Sequence, residues 1–581
     1  MRLLGITILL LSGMLFAQSS MEKFTPQLNG VINSAKQDEE LLVWVFFTDK
    51  GENTQNFLSK PNSVVSEKSL KRRSKVMSGN NLLTDRDIPV NQNYIEELNT
   101  NGFELKQRSK WFNGVSGWAT KTELAQISKM SFIKQLDVVY KLKNDRPEEE
   151  LINENPESNN QISKPEGIHS FNYGQSYTQL SQITVPQVHD LGYTGAGVTI
   201  CMMDAGFDLW STHQVFSSLN VIATWDFVNG DPDVEDGSDM GEGSHGTSTL
   251  SLIGGFYEGQ LIGPAFGADF ILAKTENTDS ETPIEEDNWI AAMEWADSIG
   301  VDVTSTSLGY IGFDPPYTSY TWEDMDGNTC RITNGADYAV SLGIFVVNSA
   351  GNEGENPSHN TLGAPADGDS VIAIGSVTSS GSRSSFSSVG PTVDGRIKPD
   401  LMAMGSSDYV ACNWSNNCYS SFGSGTSWAC PLAAGASALL LQVAPNLTPM
   451  ELATVLKNTS SRSSNPDNLY GWGIINTYAA AQSLLTDTNL GSIPDDFYLL
   501  QNYPNPFNPS TKIRFAVPER SDVKLTLYDV LGRELNVIYD EVVNPGSKEV
   551  EFNAGNLSSG IYLVRMSANS FQKTIKISLL K

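Results

Sequence analysis

Apolar and polar stretches alternate along the chain in a way that divides it into five parts. Residues 1–17 hold a largely apolar run, Leu3 to Phe16, behind Met1-Arg2. That run has signal-core length, is too short to span a bilayer comfortably, and reads as a secretory signal peptide ending at Ala17; a buried N-terminal helix is the other reading. Residues 22–143 carry strand-like runs at Leu41–Phe47, Ser116–Ala119 and Leu136–Leu142, with helical patterns at Asn93–Asn99 and Glu123–Lys129. They predict a small α+β unit. Residues 144–170, rich in Asn, Glu, Pro and Ser, bury too little apolar surface to pack and predict a linker open to proteolytic nicking.

In residues 171–485 buried-strand runs (Val198–Met203, Phe270–Lys274, Val301–Thr306, Ile344–Asn348, Val371–Val377) alternate with helical stretches such as Trp289–Ile299. This predicts an α/β fold with a parallel sheet flanked by helices. In residues 493–581 strands Lys512–Val517, Val523–Val530, Glu549–Phe552, Tyr562–Ser567 and Thr574–Leu579 are parted by turns such as Asn544-Pro545-Gly546. They predict a C-terminal β-sandwich. No stretch after the N-terminal run reads as long and apolar enough to be a membrane helix.

Charge narrows the function classes. Among 581 residues, 67 acidic side chains stand against 38 basic, a net charge of -29. Nucleic-acid binding needs a basic footprint and is excluded on this balance. Of five cysteines, Cys412 and Cys418 share a short polar loop and could form a disulfide in an exported protein. Cys201 and Cys430 sit in apolar or Ala-rich runs as buried thiols, and Cys330 has no evident partner. No spacing matches a zinc site.

Four local motifs carry chemistry. Asp204 ends the strand Val198–Met203 and is followed by Ala205-Gly206. A carboxylate at the C-terminal end of a parallel strand can hold an imidazole in one tautomer. His245 lies in Gly243-Ser244-His245-Gly246-Thr247, at the expected start of a helix. Ser427 lies in Gly425-Thr426-Ser427-Trp428-Ala429-Cys430-Pro431, ahead of an apolar helix through Val443. A serine there is expected to present its hydroxyl beside backbone N–H groups that favour negative charge. A nucleophile elbow would need glycine two residues after the serine, where Ala429 stands, which disfavours an α/β-hydrolase esterase. Asn352, in Ala350-Gly351-Asn352, could donate to an oxyanion. Alone, each motif has an ordinary structural reading: a strand-end turn for Asp204, a loop histidine for His245, a helix cap for Ser427 and a turn for Asn352.

Together, in the order Asp, His, Ser, they resemble the subtilisin-like (S8) family of serine peptidases. The resemblance covers about residues 190–480. It implies Asp204, His245, Ser427 and Asn352 as catalytic residues. It implies Ser307-Leu308-Gly309 and Ala350-Gly351 as the segments that hold substrate backbone. Two positions depart from the family pattern: Ala205, where Thr or Ser is usual, and Trp428, where Met is usual.

The resemblance further implies that residues 22–143 are an inhibitory propeptide removed at the linker; a permanent N-terminal domain is the alternative. The tail, with Asn502-Tyr503-Pro504-Asn505-Pro506-Phe507-Asn508-Pro509 and Tyr528-Asp529-Val530-Leu531-Gly532, is similar to type IX secretion sorting domains. That implies a Gram-negative bacterium of the Bacteroidetes kind, export through dedicated secretion machinery, and no transmembrane helix in the mature protein; an accessory binding sandwich is the alternative. The expected activity is secreted endopeptidase action on protein or peptide substrates, with no cofactor and no metal in catalysis. Structural Ca2+ is common in the family. The run Asp231 to Asp239 offers oxygen ligands, or serves as a solvated acidic loop. A non-catalytic binding protein on the same scaffold and an exported esterase are the rival functions.

Overall fold

A computed structural model of the chain describes residues 23–139, 169–487 and 497–579, apart from 53, 78–81, 236–244, 280–281, 313–318, 500–501, 503–506, 508 and 570. The signal peptide, nearly all of the 144–170 linker, Ser244, residues 236–239 of the acidic run and most of the Asn502–Pro509 motif lie outside the described residues.

The N-terminal unit is a four-stranded antiparallel sheet of β1 (Glu40–Phe47), β2 (Glu104–Ser109), β3 (Gly114–Thr120) and β4 (Ile133–Val138), in the order β2-β3-β1-β4. Successive strand side chains point to opposite faces, and β1 uses both. Val43, Val45 and Phe47 pack with the unit's own helices, including Gln92–Thr100 and Lys121–Ile127. Leu42 and Trp44 face away and pack with Ile284 of the central domain.

The central domain is built on seven parallel or near-parallel strands: β5 (Thr199–Asp204), β6 (Asn220–Asp226), β9 (Asp269–Lys274), β10 (Val303–Thr306), β11 (Phe345–Ser349), β12 (Ile372–Val377) and β13 (Leu401–Met404). A small hairpin, β7 (Phe256–Tyr257) and β8 (Leu261–Ile262), interrupts their sequence order. The sheet order is β13-β12-β11-β10-β5-β9-β6, and the described pairings are parallel. Apolar residues run continuously along these strands because both faces are covered. Ile200 and Met202 of β5 join the core on one face, and Cys201 and Met203 join the core on the other. β9 splits the same way, with Phe270 and Leu272 opposite Ile271 and Ala273.

One face is covered by helices His245–Gly254, Thr426–Val443, Pro449–Thr459 and Thr477–Asp487, the other by Ile284–Ile299 and Arg331–Ser341. Contrary to the sequence expectation, Thr426–Val443 is long and apolar enough to cross a membrane by length and composition. It is instead the central core helix, with 89% of its span buried. A hairpin, β14 (Ser406–Ala411) and β15 (Tyr419–Ser424), leads into it. Cys412 and Cys418 form a disulfide in the loop of that hairpin, with Cα atoms 5.2 Å apart. Cys201, Cys330 and Cys430 are buried free thiols.

The tail holds two packed antiparallel sheets. One is β16 (Tyr498–Leu499), β17 (Ser510–Val517) and β20 (Gly546–Asn553); the other is β18 (Ser521–Tyr528), β19 (Glu534–Val543), β21 (Gly560–Ala568) and β22 (Phe571–Leu579). Phe515, Ile513, Leu525, Val564 and Ile577 meet between them.

Candidate active site

The chain runs through the sheet so that β9 and β6 lie on one side of β5 and β10 to β13 on the other. Between β5 and β10 the strand order reverses, and ligands of open α/β sheets bind at the carboxyl ends of strands at such a point. Asp204 is the last residue of β5, Ser307 follows β10, and Ala350 follows β11.

The Asp204 carboxylate is buried and fully engaged. Its Oδ1 accepts from the Ala205 N–H at 2.8 Å and pairs with His245 Nδ1 at 2.7 Å. Its Oδ2 accepts from the Thr249 hydroxyl at 2.9 Å. His245 and Thr249 stand one turn apart on the same helix face, so one carboxylate clamps both the ring and the helix that carries it. With Nδ1 bound to a carboxylate, the imidazole is held in the tautomer whose Nε2 accepts a proton. Gly246 permits this approach: a Cβ there would stand 2.1 Å from the Gly206 carbonyl oxygen and 3.0 Å from Asp204 Cβ.

Ser427 differs from the sequence expectation of an exposed hydroxyl. It is the second residue of helix Thr426–Val443 and only 6% exposed. Its Oγ donates to the Ser307 carbonyl at 3.1 Å, while the Ser307 hydroxyl donates to the Ser427 carbonyl at 2.8 Å. The sequence motif sets the serine at the right end of the helix, but packing of residues 307–309 over that end is a long-range contact that no local pattern contains. Catalytic hydrogen bonds often form only in the substrate complex.

Asn352 is anchored by its amide oxygen, which accepts from the Thr426 N–H at 2.9 Å and the Thr426 hydroxyl at 3.0 Å. The bonds fix which end of the amide turns to Thr426 and leave Nδ2 free of those two contacts. Beside Gly425, the point where a Cβ would stand lies 3.6 Å from Asn352 Nδ2 and 3.7 Å from the Ser427 backbone nitrogen. Two donors therefore flank one space that carries no side chain; the Asn352 amide oxygen, 3.8 Å from the same point, is turned to Thr426. The Ser427 N–H belongs to the first helical turn, where no intrahelical acceptor exists.

The segments read as substrate-binding are held to the same frame. Leu308 O accepts from Asn348 Nδ2 at 2.9 Å and from the Ser349 hydroxyl at 3.1 Å. Gly309 has open space where a side chain would be. Gly351 bonds the Thr426 hydroxyl through its N–H at 3.2 Å. Its φ of +109° needs glycine, since a Cβ there would also meet Ser388 Oγ at 2.8 Å. Sequence reasoning missed Thr249 and Thr426, which hold the Asp204 carboxylate and the Asn352 amide. Their positions four residues after His245 and one before Ser427 were the available signals.

The N-terminal unit covers helix Ile284–Ile299. Glu294 Oε1 accepts from the Ser109 hydroxyl at 2.5 Å and the Trp111 N–H at 3.1 Å, and its Oε2 from the Lys110 N–H at 3.0 Å. Asp287 Oδ1 accepts from Trp44 Nε1 at 2.8 Å. Asp297 receives the guanidinium groups of both Arg72 and Arg73, the latter at 2.6 Å. Burial pushes the Asp287 carboxyl up to about 7 and Glu286 up to about 8, and raises Glu294.

Comparison with known proteins accords with this arrangement. The subtilase family matches residues 195–473, a Bacteroidota peptidase S8 propeptide domain matches 42–157, and a secretion system C-terminal sorting domain matches 501–579. Subtilisin NAT of Bacillus subtilis subsp. natto is 36% identical over 314 residues, 53% of this chain and 72% of that protein. A subtilisin of Bacillus pumilus is 34% identical over 306 residues, 52% of this chain and 98% of that one. Among solved structures, a cold adapted subtilisin-like serine proteinase aligns with 28% identity and a TM-score of 0.38, over 49% of this chain and 89% of its own. The chain belongs to the subtilase family of serine peptidases. It is a subtilisin-like serine endopeptidase, secreted or held at the surface of a Gram-negative bacterium of the Bacteroidota.

Proposed function

We propose that Ser427 is the nucleophile, His245 the general base and then acid, Asp204 its orienting carboxylate, and Asn352 an oxyanion donor. The Ser427 Oγ–carbonyl bond forms as its proton passes to His245 Nε2, and the resulting oxyanion lies between Asn352 Nδ2 and the Ser427 N–H. His245 then gives that proton to the leaving nitrogen as the C–N bond breaks. Water attacks the acyl carbon as it loses a proton to His245, and the acyl–Oγ bond then breaks as His245 returns that proton to Ser427 Oγ. Ser307, Leu308, Gly309, Ala350 and Gly351 hold the substrate as an added extended strand, a mode that reads backbone rather than side chains. The observation that carries this reading is the pair of donors, at 3.6 and 3.7 Å, around one side-chain-free point beside Gly425.

The precursor is cut within residues 144–170. Residues 22–143 then act as an inhibitor, and residues 493–581 engage the secretion machinery. The acyl-transfer set is complete without a cofactor. At the acidic loop, Asp231 and Asp233 each give one oxygen to a backbone N–H two residues on. Among the described residues no three carboxylate, imidazole or thiol groups are placed to hold a metal ion together, and no step is routed through calcium.

The test is casein hydrolysis by the matured protein beside its Ser427→Ala variant. Activity only in the first supports the reading, and equal activity in both refutes Ser427 as nucleophile. Inactivity of both, with residues 22–143 shown to be gone, favours a binding protein on this scaffold.

A further inference from the structure

We propose that Trp428 is a positioning residue for the His245 imidazole, and that Asp408 fixes Trp428 through the indole N–H. The proposal rests on the reading of His245 as the catalytic base.

Trp428 adjoins Ser427 in sequence, yet its side chain serves the other partner of the reaction. The indole and the His245 ring are stacked, with centroids 5.0 Å apart and planes 25° apart. Trp428 is 7% exposed and His245's side chain 25%, so the indole covers one face of a ring whose edge is held by Asp204. A ring gripped at its edge and on one face has lost the rotations that would carry Nε2 away from Ser427. The π face also favours the imidazolium that forms when the Ser427 proton is transferred.

The indole is itself held. A Cβ on Gly423 would lie 2.5 Å from Trp428 Nε1 and 2.7 Å from its Cε2 and Cζ2. The indole therefore occupies the space a side chain at 423 would take. Across the hairpin Gly423 pairs with Asp408, between two irregularities of register. Asp408 is completely buried. Among the described residues Asp408 Oδ1, Asp408 Oδ2 and Trp428 Nε1 all lack a hydrogen-bond partner. One buried donor and two buried acceptors, each costly when unpaired, thus belong to neighbouring residues of the hairpin and the helix it leads into, with no bond between them in this structure. Joined, they satisfy one another and set the plane of the indole. Burial pushes the Asp408 carboxyl up to about 8, and an oxygen of either protonation state accepts from the indole.

Among the described residues, the titratable groups on the elements packed about His245 include Asp204 from β5, Asp208 beyond it, whose carbonyl accepts from the Thr247 hydroxyl, Asp408 from β14, His213 ahead of the turn Gln214–Phe216, and Cys430 from the Ser427 helix. The Cys430 thiol is pushed by burial up to about 12 and stays neutral.

The test compares Trp428→Leu, Trp428→Phe, Asp408→Leu, the double variant of the last two, and His245→Ala. All are made as full-length chains, matured by the same added protease, which is then inhibited, with folding followed by circular dichroism. Trp428→Leu keeps the site apolar but removes the π face. It is expected to lower kcat on the order of tenfold, leave KM nearly unchanged, and move the acid limb of kcat/KM down by roughly half a pH unit. Trp428→Phe keeps the stack and the acid limb but loses the N–H, and is expected to lose about threefold in kcat. Asp408→Leu is expected to lose the same factor alone and nothing further when combined with Trp428→Phe. Additive losses in the double variant, or a Trp428→Leu enzyme with unchanged kcat and acid limb, overturn the proposal. If Trp428→Leu does not fold, the Phe and Asp408 variants still decide it. If His245→Ala itself keeps full activity, the catalytic reading fails; if it is inactive while the Trp428 variants are normal, only this inference fails.

Discussion

Asp297 offers the cleanest way to loosen the N-terminal unit without touching catalysis. It lies on the sheet face opposite the Ser427 helix, in helix Ile284–Ile299, and its carboxylate is completely buried beneath the N-terminal unit. Arg72 and Arg73 both donate to it. Replacing Asp297 by Ala leaves each guanidinium with other acceptors: the carbonyls of Val301 and Leu342 for Arg72, and Asp87 and the Leu82 carbonyl for Arg73. Breaking a buried ion pair by removing one partner costs ~3–5 kcal/mol. Because both arginines keep partners, the lower end applies, and ~3 kcal/mol corresponds to roughly a hundredfold weaker inhibitor binding. The assay is inhibition of the matured enzyme by added residues 22–143. The variant is expected to show an unchanged kcat/KM on a peptide substrate and an inhibition constant about a hundredfold higher. A constant within threefold of the parent would refute the view that this pair of arginines holds the two units together.

Three further outcomes follow from the same geometry. In the bound state the Asp287 carboxyl is pushed up to about 7 by burial under Trp44, above its ordinary value when uncovered. Binding of residues 22–143 therefore takes up a proton, is strongest at low pH, and weakens by up to tenfold per unit as pH rises from the ordinary carboxylate range to about 7, levelling off above it; inhibition measured from about pH 5 to 8 checks this, and Asp287→Asn should make the dependence shallower, with the raised Glu294 carboxyl supplying what remains. Asn352→Ala should lower kcat by about 10²–10³ with little change in KM, the range typical of one oxyanion donor in subtilisin-type enzymes; steady-state kinetics on a peptide amide would reveal near-normal turnover if the role is wrong. Gly246→Ala must push the His245 helix away from the Gly206 carbonyl, so it should cost about a hundredfold in kcat in a protein that still gives a cooperative melt.

What the sequence displayed was whatever a short window contains. β5 and β9 read as strands because both their faces are buried and the apolar run is unbroken. The Asp204, His245, Ser427 and Asn352 motifs read as a site because each ends or begins a regular element. β2 was not legible: Glu104-Leu105-Lys106-Gln107-Arg108-Ser109 is polar, and the side chains it turns inward, Gln107 and Ser109, are satisfied by Asn288 and Glu294 of another domain. β19 was missed because it is an edge strand whose side chains are mostly exposed. Arg72 and Arg73 belong to a run of lysines and arginines that looks like a solvated face, yet both are nearly fully buried. The Ser427 helix was legible as a buried element, but its extent was not, since Pro431 lies inside it. Trp428 registered only as an unusual neighbour of the serine; that it stacks on His245 depends on Gly423 leaving room for it.

The strand order of the central sheet also governs when the molecule can first become active. β5 is synthesised early, yet its two neighbours are β9 and β10, each reached only after a long crossover, and Ser427 follows still later on the far side of the hairpin. Pairings of that range form slowly, because the entropy lost in closing the intervening loops precedes the contacts that compensate it. The N-terminal sheet is complete before β5 exists and presents a finished surface to helix Ile284–Ile299. That helix leads almost directly into β10, so its capture at an existing surface shortens the search by which the middle of the sheet is assembled. The segment that matches a propeptide domain is thus present during the stage of folding when the sheet has the fewest of its own contacts to guide it.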